Sequence, residues 1–392
     1  MTAKKKGKGH TFLRRLMLTL NILAVMALLC AYAASYISPA RYWFFAFFGL
    51  AYPYLLLLNL FFVLVWLLSW KRFIWISIIV ILLGFNQIFS ILQYRKASSL
   101  NVPAGSIKIL SYNVHSLYEV HKSKGKGRML SKVTDFLVQQ NPDILCIQEF
   151  FLRSEDSLKV LQKFTGGLHT NHYFMKNYVE IKDKRKIFAI ATFSRYPISG
   201  MGHLRINSRN IFAIYTDLVM GRDTVRVYNI HLESIRFGKN DYSFYAQLTD
   251  QAKEPDDNFD LGEGSFNIFS KLKKAFVIRA NQVDVLKENI KRSPYPVIIC
   301  GDFNDTPASY TYHQMTSGFH DSFCKAGSGF LGSTYAGNFP SFRIDYILYD
   351  DFFNAFNYSR HNVDLSDHYP VQVFLKRKMQ NAGKQNAAVT IF

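Results

Sequence analysis

The chain has 392 residues, with 47 lysines and arginines against 28 acids and a formal charge of +19. That charge is no nucleic-acid signature: eleven of the basic residues lie before residue 97, where there is no acid at all, and the remainder is only moderately basic. Four cysteines scattered along the whole length exclude a disulfide framework, and Cys146 and Cys300, inside apolar runs, read as buried free thiols.

Three apolar runs fill the first 97 positions: "FLRRLMLTLNILAVMALLCAYAASYI" at 12–37, "YWFFAFFGLAYPYLLLLNLFFVLVWLLSW" at 42–70 and "FIWISIIVILLGFNQIFSILQ" at 73–93. Each reaches the ~20 residues that a bilayer crossing needs. With Trp, Tyr, Lys and Arg at their edges and no Asp or Glu before Glu119, they predict about three transmembrane helices. Lys4, Lys5, Lys6, Lys8, Arg14 and Arg15 precede the first run, and Lys71 and Arg72 fill the turn between the second and third. Only Arg41 occupies the first turn. This bias predicts a multi-pass cell-membrane protein with its amino terminus in the cytoplasm and everything after the third span on the far side.

From Ile107 short apolar runs alternate with helix-like segments. "IKILSYNV" predicts a strand, "RMLSKVTDFLVQQ" an amphipathic helix, "PDILCIQE" a second strand and "FAIATFSRYPI" a third. "IFAIYTDLVM" and "TVRVYNIHLE" predict an antiparallel pair around Gly221. A long helix, "KKAFVIRANQVDVLKENIKR", leads to the strand "YPVIIC", and "FRIDYILYD" and "YPVQVFLK" close the series. Strands flanked by helices, with antiparallel pairs included, predict a mixed α/β sandwich. The organisation is an anchor over 1–100, a domain over 101–380 and a polar tail over 381–392. Residues 236–269 form a polar insertion after His231, either a lid or a decoration.

Polar residues stop these strands repeatedly: Asn113, Glu149, Asn229 with His231, Asp302 with Asn304, and Asp367 with His368 before the last strand. Positions i and i+2 of a strand share a face, so Asp302 and Asn304 are expected to look into one cleft. A single such residue reads as a turn or cap. The full set of carboxylates, amides and imidazoles is what a metal-assisted phosphoryl site needs. His115, His203, His320 and His361 have no motif support. The basic cluster "HKSKGKGR" at 121–128 reads as a solvated loop or a contact for phosphates.

The ordered motifs "SYNVHS", "DILCIQE", "FAIATFSRYPI", "VYNIHLES", "VIICGDFNDTP", "RIDYIL" and "SDHYPV" resemble the endonuclease/exonuclease/phosphatase superfamily over about residues 107–376. The resemblance implies a four-layer, DNase I-like sandwich of two mixed sheets with helices outside, and an Mg²⁺-dependent hydrolase, Mn²⁺ being the alternative ion. It implies Glu149 as principal metal ligand, with Asn113 nearby and Asp367 assisting. Asp302 orients or deprotonates the attacking water, and Asn304 and His231 hold the phosphate. His368 grips the phosphate or acts as base, oriented by Asp345. Arg279, in "IRANQ", is either a phosphate ligand or half of a structural salt bridge, and Ser194 and Arg195 of the S-R-x-P turn are structural. His231 sets the chain apart from abasic-site endonucleases, whose motif has no histidine there. The expected partner is a phosphate ester, with lipid-headgroup or small-molecule substrates favoured by the anchor. A membrane-bound nuclease acting on DNA or RNA and an inactive binding module are the alternatives.

Overall fold

The computed structural model describes residues 4–69, 71–93, 102–115, 128–178, 186–206, 210–248, 261–328, 332–337 and 341–378. The amino-terminal part is helical: α1 (Lys4–Ala34), α2 (Pro39–Tyr42), α3 (Phe44–Leu50), α4 (Tyr52–Leu68), α5 (Ile74–Leu83) and α6 (Phe85–Ile91). There follow β1 (Ile107–Asn113), α7 (Arg128–Gln140), β2 (Ile144–Arg153), α8 (Ser154–Gly167), β3 (His172–Asn177), β4 (Lys186–Ser194), β5 (Ile198–Ile206), β6 (Asn210–Met220) and β7 (Asp223–His231). The rest comprises α9 (Lys239–Leu248), α10 (Leu261–Lys291), β8 (Val297–Asp302), α11 (Tyr310–Thr316), β9 (His320–Asp321), α12 (Ser322–Ala326), β10 (Asp345–Tyr349), β11 (Phe353–Arg360) and β12 (Val371–Arg377).

Two six-stranded sheets form, ordered β11-β12-β1-β2-β4-β3 and β5-β6-β7-β8-β10-β9. Both are mixed, since β1–β2 and β7–β8 run parallel among antiparallel neighbours. Ile109, Cys146, Val227, Ile298, Cys300, Ile347 and Val373 fill the space between the sheets. On one outer side Val133 and Leu137 of α7 and Phe164 of α8 pack on Leu110 and Leu145. On the other, Val283 and Leu286 of α10 pack on Tyr228, Ile299 and Leu348. Helices, sheet, sheet and helices are the expected four layers. All four cysteines are free, with Cys146 and Cys300 buried.

The strands not foreseen are β3, β5, β9 and β11, and each is the outer strand of a sheet. The long helix also begins earlier than expected: α10 reaches back to Leu261, so the insertion contributes a helix, α9, and the first turns of α10. Residues 249–260 of the insertion, all but the last residue of the basic cluster at 121–128, and the tail after residue 380 lie outside the described residues.

The expectation of about three spans is met in part. Among the described residues one helix is long and apolar enough to cross a membrane, over Thr11–Ala34. The other two runs are bent, α3 against α4 by 66° and α5 against α6 by 64°, and count as spans only if each pair is taken as one. The first bend falls at Ala51, because Pro53 lacks an N–H and sits at the first turn of α4, where a helix tolerates it. The second falls at Gly84, where Tyr32 of α1 packs so closely that a Cβ would lie 2.2 Å from its ring. Buried polar groups tie these helices together. Asn21 donates to Ser77 Oγ (2.7 Å), Trp66 Nε1 donates to Asn21 Oδ1 (2.9 Å), and Asn59 donates to the Ala24 carbonyl (3.1 Å).

Candidate active site

The site lies between the sheets, where the parallel pairs β1–β2 and β7–β8 end. Register does much of the placement. Asp302 is paired with His231 across β7–β8 and with Asp345 across β8–β10, so three polar groups from three strands lie in one row. Gly301 makes that approach feasible: it has φ +140°, and a Cβ there would lie 2.0 Å from the Ile230 carbonyl oxygen.

Asp302 is the hub and is 1 % exposed. Its Oδ1 accepts the Asn304 backbone N–H (2.7 Å), and its Oδ2 accepts from Asn113 Nδ2 (2.9 Å) and Asn304 Nδ2 (3.1 Å). Asn304 therefore shares the cleft with Asp302, but not through strand alternation. The strand stops at Asp302, and the side chain of Asp302 closes a local turn onto residue 304, whose φ is +52°. Asn304 also donates to the Leu232 carbonyl (3.0 Å), which ties the turn to the end of β7.

Glu149 was expected to end the second strand. Instead β2 runs on to Arg153, and its pairing with β4 shifts between Ile147 and Phe150. Glu149 sits in that bulge at φ +51°, its backbone N–H donating to the Tyr178 hydroxyl (2.9 Å). A bulge re-aims one side chain without ending the strand. Here it turns Glu149 Oε1 to within 3.4 Å of both Asn113 Nδ2 and His231 Nε2. His231 Nε2 is 3.8 Å from Asp302 Oδ2, is buried, and has no hydrogen-bond partner among the described residues. An unsatisfied nitrogen beside two carboxylates marks where a bound anion or water belongs.

His368 is 5 % exposed, and its Nδ1 lies 2.9 Å from Asp345 Oδ2 while Nε2 lies 3.8 Å from Asp302 Oδ2. Burial alone would depress this imidazole, but Asp345 and Asp302 outweigh it and hold it well above the ordinary 6.5. Asp302 shifts for the opposite reason. Burial disfavours its charge, and although His368 pulls the other way the carboxyl is raised to about 6. Asp302, Asp345 and His368 offer ligand atoms all within 4.8 Å of one another. His368 Nδ1 is already engaged by Asp345, which makes this cluster an oriented imidazole before it is a metal cage.

Asp367 lines the same cavity, with Oδ1 3.1 Å from His115 Nδ1. His115, inside the motif "SYNVHS" but given no role by it, thus belongs to the site, and it too has positive φ (+41°). Non-glycine residues with positive φ cluster where geometry is over-determined. Tyr178, Thr334 and Ser366 are the other residues not foreseen. Thr334 Oγ1 accepts the N–H of Asp345 (3.0 Å), and Ser366 Oγ donates to the Asn113 carbonyl (2.9 Å). Ser366 opens the motif "SDHYPV", while Tyr178 and Thr334 stand in none of the quoted motifs.

Two expected polar positions serve the frame. Asn229 is fully buried, accepts from Gln148 Nε2 (2.7 Å) and donates to the Ala191 carbonyl (2.8 Å), riveting one sheet to the other. Arg279 is 1 % exposed, its guanidinium engaged by Asp305 (3.1 Å) and the Glu233 carbonyl (2.9 Å). The salt bridge is formed, and Arg279 also lines the wall of the cavity. Ser194 and Arg195 also brace the fold: Ser194 Oγ accepts the Tyr196 N–H (2.9 Å), and Arg195 pairs with Asp143 (3.0 Å).

The donor set at the mouth suits a hard divalent cation. Glu149 and Asp367 put two carboxylates on the wall of one cavity, while Asn113 turns its Nδ2 to Glu149 and Asp302 and its Oδ1 accepts the His115 N–H (3.0 Å). Mg²⁺ sites commonly use one or two carboxylates and keep several waters.

Two family models match the chain: one described as the Endonuclease/Exonuclease/phosphatase family, over residues 110–368, and one described as a domain of unknown function, over residues 14–91. No curated protein matches. Similar solved structures include a family protein from Leptotrichia buccalis, 15 % identical over 69 % of this chain and 99 % of that one, with a TM-score of 0.45. A family protein from Bacteroides thetaiotaomicron is 19 % identical over 70 % and 99 %, with a TM-score of 0.45. The human Nocturnin catalytic domain is 14 % identical over 71 % and 96 %, with a TM-score of 0.47.

Proposed function

The chain belongs to the endonuclease/exonuclease/phosphatase family, and from that premise we propose that it is a divalent-metal-dependent phosphoester hydrolase held at a membrane by residues 1–100. The observation that carries the reading is the convergence of Glu149, His231, Asp302 and His368, from both sheets, on one cavity, with Asn113 hydrogen-bonded to Asp302 and His231 Nε2 buried 3.4 Å from Glu149 Oε1.

The shifts of Asp302 and His368 suggest a division of labour. Both groups are raised, for different reasons: burial lifts the Asp302 carboxyl, and the neighbouring carboxylates lift the His368 imidazole against burial. With a carboxyl raised to about 6, Asp302 is ionised at neutral pH yet basic enough to accept a proton from the attacking water. His368, held well above 6.5, stays an imidazolium and neutralises the phosphoryl oxygens, and His231, beside Glu149 and Asp302, offers a ring nitrogen to the same group. Asp345 fixes the imidazole orientation. Asn304 braces Asp302, its amide donating to the Asp302 carboxylate and to the Leu232 carbonyl. Glu149 and Asn113, with Asp367, would hold the metal. When bound, the ion polarises the phosphoryl oxygen and stabilises the leaving oxyanion.

The membrane reading draws on which end of the helical bundle meets the hydrolase domain. Arg14 lies over the Phe73 ring (5.7 Å), so α1 and the basic turn at Lys71–Arg72 share one end. At the other, Tyr36 packs at a tilt against His313 (4.4 Å between ring centres) and the Ser90 carbonyl accepts from Arg343 (2.6 Å). Basic ends face the cytoplasm, so with each bent pair taken as one span the hydrolase domain lies extracytoplasmic.

The test uses the full chain in nanodiscs with bis-p-nitrophenyl phosphate. Hydrolysis is expected with Mg²⁺ or Mn²⁺ and not with chelator, and His368→Ala should lose about 10²–10⁴-fold. Metal-independent turnover would overturn the reading. Rapid nicking of plasmid DNA with no turnover of phospholipid vesicles would make the protein a membrane-bound nuclease.

A further inference from the structure

The cavity that holds the polar cluster does not close within the hydrolase domain. It measures about 850 Å³, near the top of the ~300–1,000 Å³ range of pockets that enclose drug-sized ligands. A phosphoryl group fills only a corner of it. Opposite the polar cluster the wall is apolar, made by Phe47, Leu50, Ala51 and Tyr54 of the anchor and Leu272 and Phe276 of α10.

The anchor is docked there. Phe47 stacks on Phe269 (4.6 Å) and meets Phe276 edge-on (5.3 Å), and Trp43 meets Phe269 edge-on (5.3 Å) while Lys273 lies over its other surface (4.6 Å). Gly49 packs so tightly that a Cβ would come within 2.6 Å of the Ala308 carbonyl oxygen. The bend at Ala51 therefore places the start of α4 at the mouth of the site. Tyr54 lines the cavity and is also 55 % exposed, one turn from the outward Leu57 and Leu58. On the facing side α10 exposes Leu261, Phe266 and Phe269. An apolar path thus leads from the lipid-facing surface of α4 to the catalytic groups.

We propose that the anchor completes the active site, and that the substrate is a long-chain phosphate ester. Its phosphate lies against His231, Asp302 and His368, and its alkyl or prenyl chain lies between the α3–α4 bend and α10. The proposal rests on the phosphoester-hydrolase reading. A nucleotide or nucleic acid would leave the anchor's apolar wall facing water, a loss proportional to the area exposed.

Two measurements on the full chain in nanodiscs test it. The first compares kcat/KM for p-nitrophenyl phosphodiesters whose second ester is methyl or hexadecyl. The hexadecyl ester should be favoured about 100-fold, the gain from burying a few methylenes, and Ala51→Trp should collapse the ratio while Leu64→Trp, on the outward surface, keeps it. The second uses a hexadecyl phosphonate with a mid-chain diazirine, which needs no turnover. Crosslinks are expected within 47–54 and 268–276 and should be suppressed by unlabelled phosphonate. Hydrolysis of both esters at equal efficiency, with crosslinks only on outward anchor residues, overturns the proposal and leaves the hydrolase standing. Crosslinks at the site without hydrolysis of either ester support the apolar subsite and remove the hydrolase.

Discussion

Asp302 and Asp345 are direct partners in the antiparallel β8–β10 ladder, and His368 reaches both carboxylates, at 3.8 Å and 2.9 Å. Two buried acids around one imidazole keep that imidazole charged. Asp345→Asn leaves the ring in place but removes the nearer counter-charge. The expected result is a fall in kcat of about 10–100-fold, by analogy with loss of an orienting carboxylate behind a ligating histidine. A new alkaline limb should also appear near neutral pH, as His368 returns toward its ordinary range. A merely structural Asp345 would lower kcat without moving the pH profile.

The acid side of the profile reports Asp302. A base works in its deprotonated form, so with a carboxyl raised to about 6 the rate rises about tenfold per pH unit below that value and levels above it. His368, raised well above 6.5, contributes no alkaline limb in the wild type until well past neutrality. A pH–rate profile on bis-p-nitrophenyl phosphate checks both limbs. A rate flat from about pH 5 to 8 would take the proton-accepting role away from Asp302.

Glu149→Gln keeps the shape of the bulge and removes the charge that faces Asn113 and His231. Metal affinity, read directly by calorimetry with Mn²⁺, should fall at least about 10-fold. Asn229→Ala, which removes the rivet between the sheets but none of the groups proposed to hold the metal, should lower thermal stability and leave Mn²⁺ affinity intact. Equal loss of affinity in both variants would mean that Glu149 acts through the fold and not as a ligand.

Much of this architecture was legible in the sequence because the inner strands are nearly uninterrupted apolar runs ending in a polar residue. β1, β2, β4, β6, β7, β8, β10 and β12 all advertise themselves in that way. The outer strands do not. β3 ("HYFMKN"), β5 ("ISGMGHLRI") and β11 ("FNAFNYSR") are half-solvated and carry Gly or polar residues, so their existence depends on a neighbour offering hydrogen bonds. The site shows the same divide. Side chains at strand ends, such as Asp302 and His231, could be read off, because alternation fixes where they point. Glu149's aim depends on a bulge, Asn304's on a side-chain turn, and His115's on a positive φ, none of which has a pattern in one sequence. The bends in the anchor were not legible for a related reason: hydropathy sees an apolar run through Pro53 and Gly84 and does not see that the helix turns there.

The junction between anchor and hydrolase domain yields the last expectation. Arg343 is 3 % exposed, pairs with Asp321 (2.6 Å) and donates to the Ser90 carbonyl at the end of α6 (2.6 Å). Its guanidinium lies 4.6 Å from the ring centres of Phe323 and Tyr346. Burying this ion pair is costly in itself, so its removal as a unit is tolerable, whereas leaving one charge alone is not. Asp321→Asn should therefore cost about 3–5 kcal/mol of stability, while the double variant Asp321→Leu with Arg343→Met should recover most of that loss. Thermal unfolding of the full chain in nanodiscs, read by circular dichroism, compares the three. If Asp321→Asn costs under about 1 kcal/mol, water reaches the guanidinium and the pair is not the clamp between α6 and the sheet.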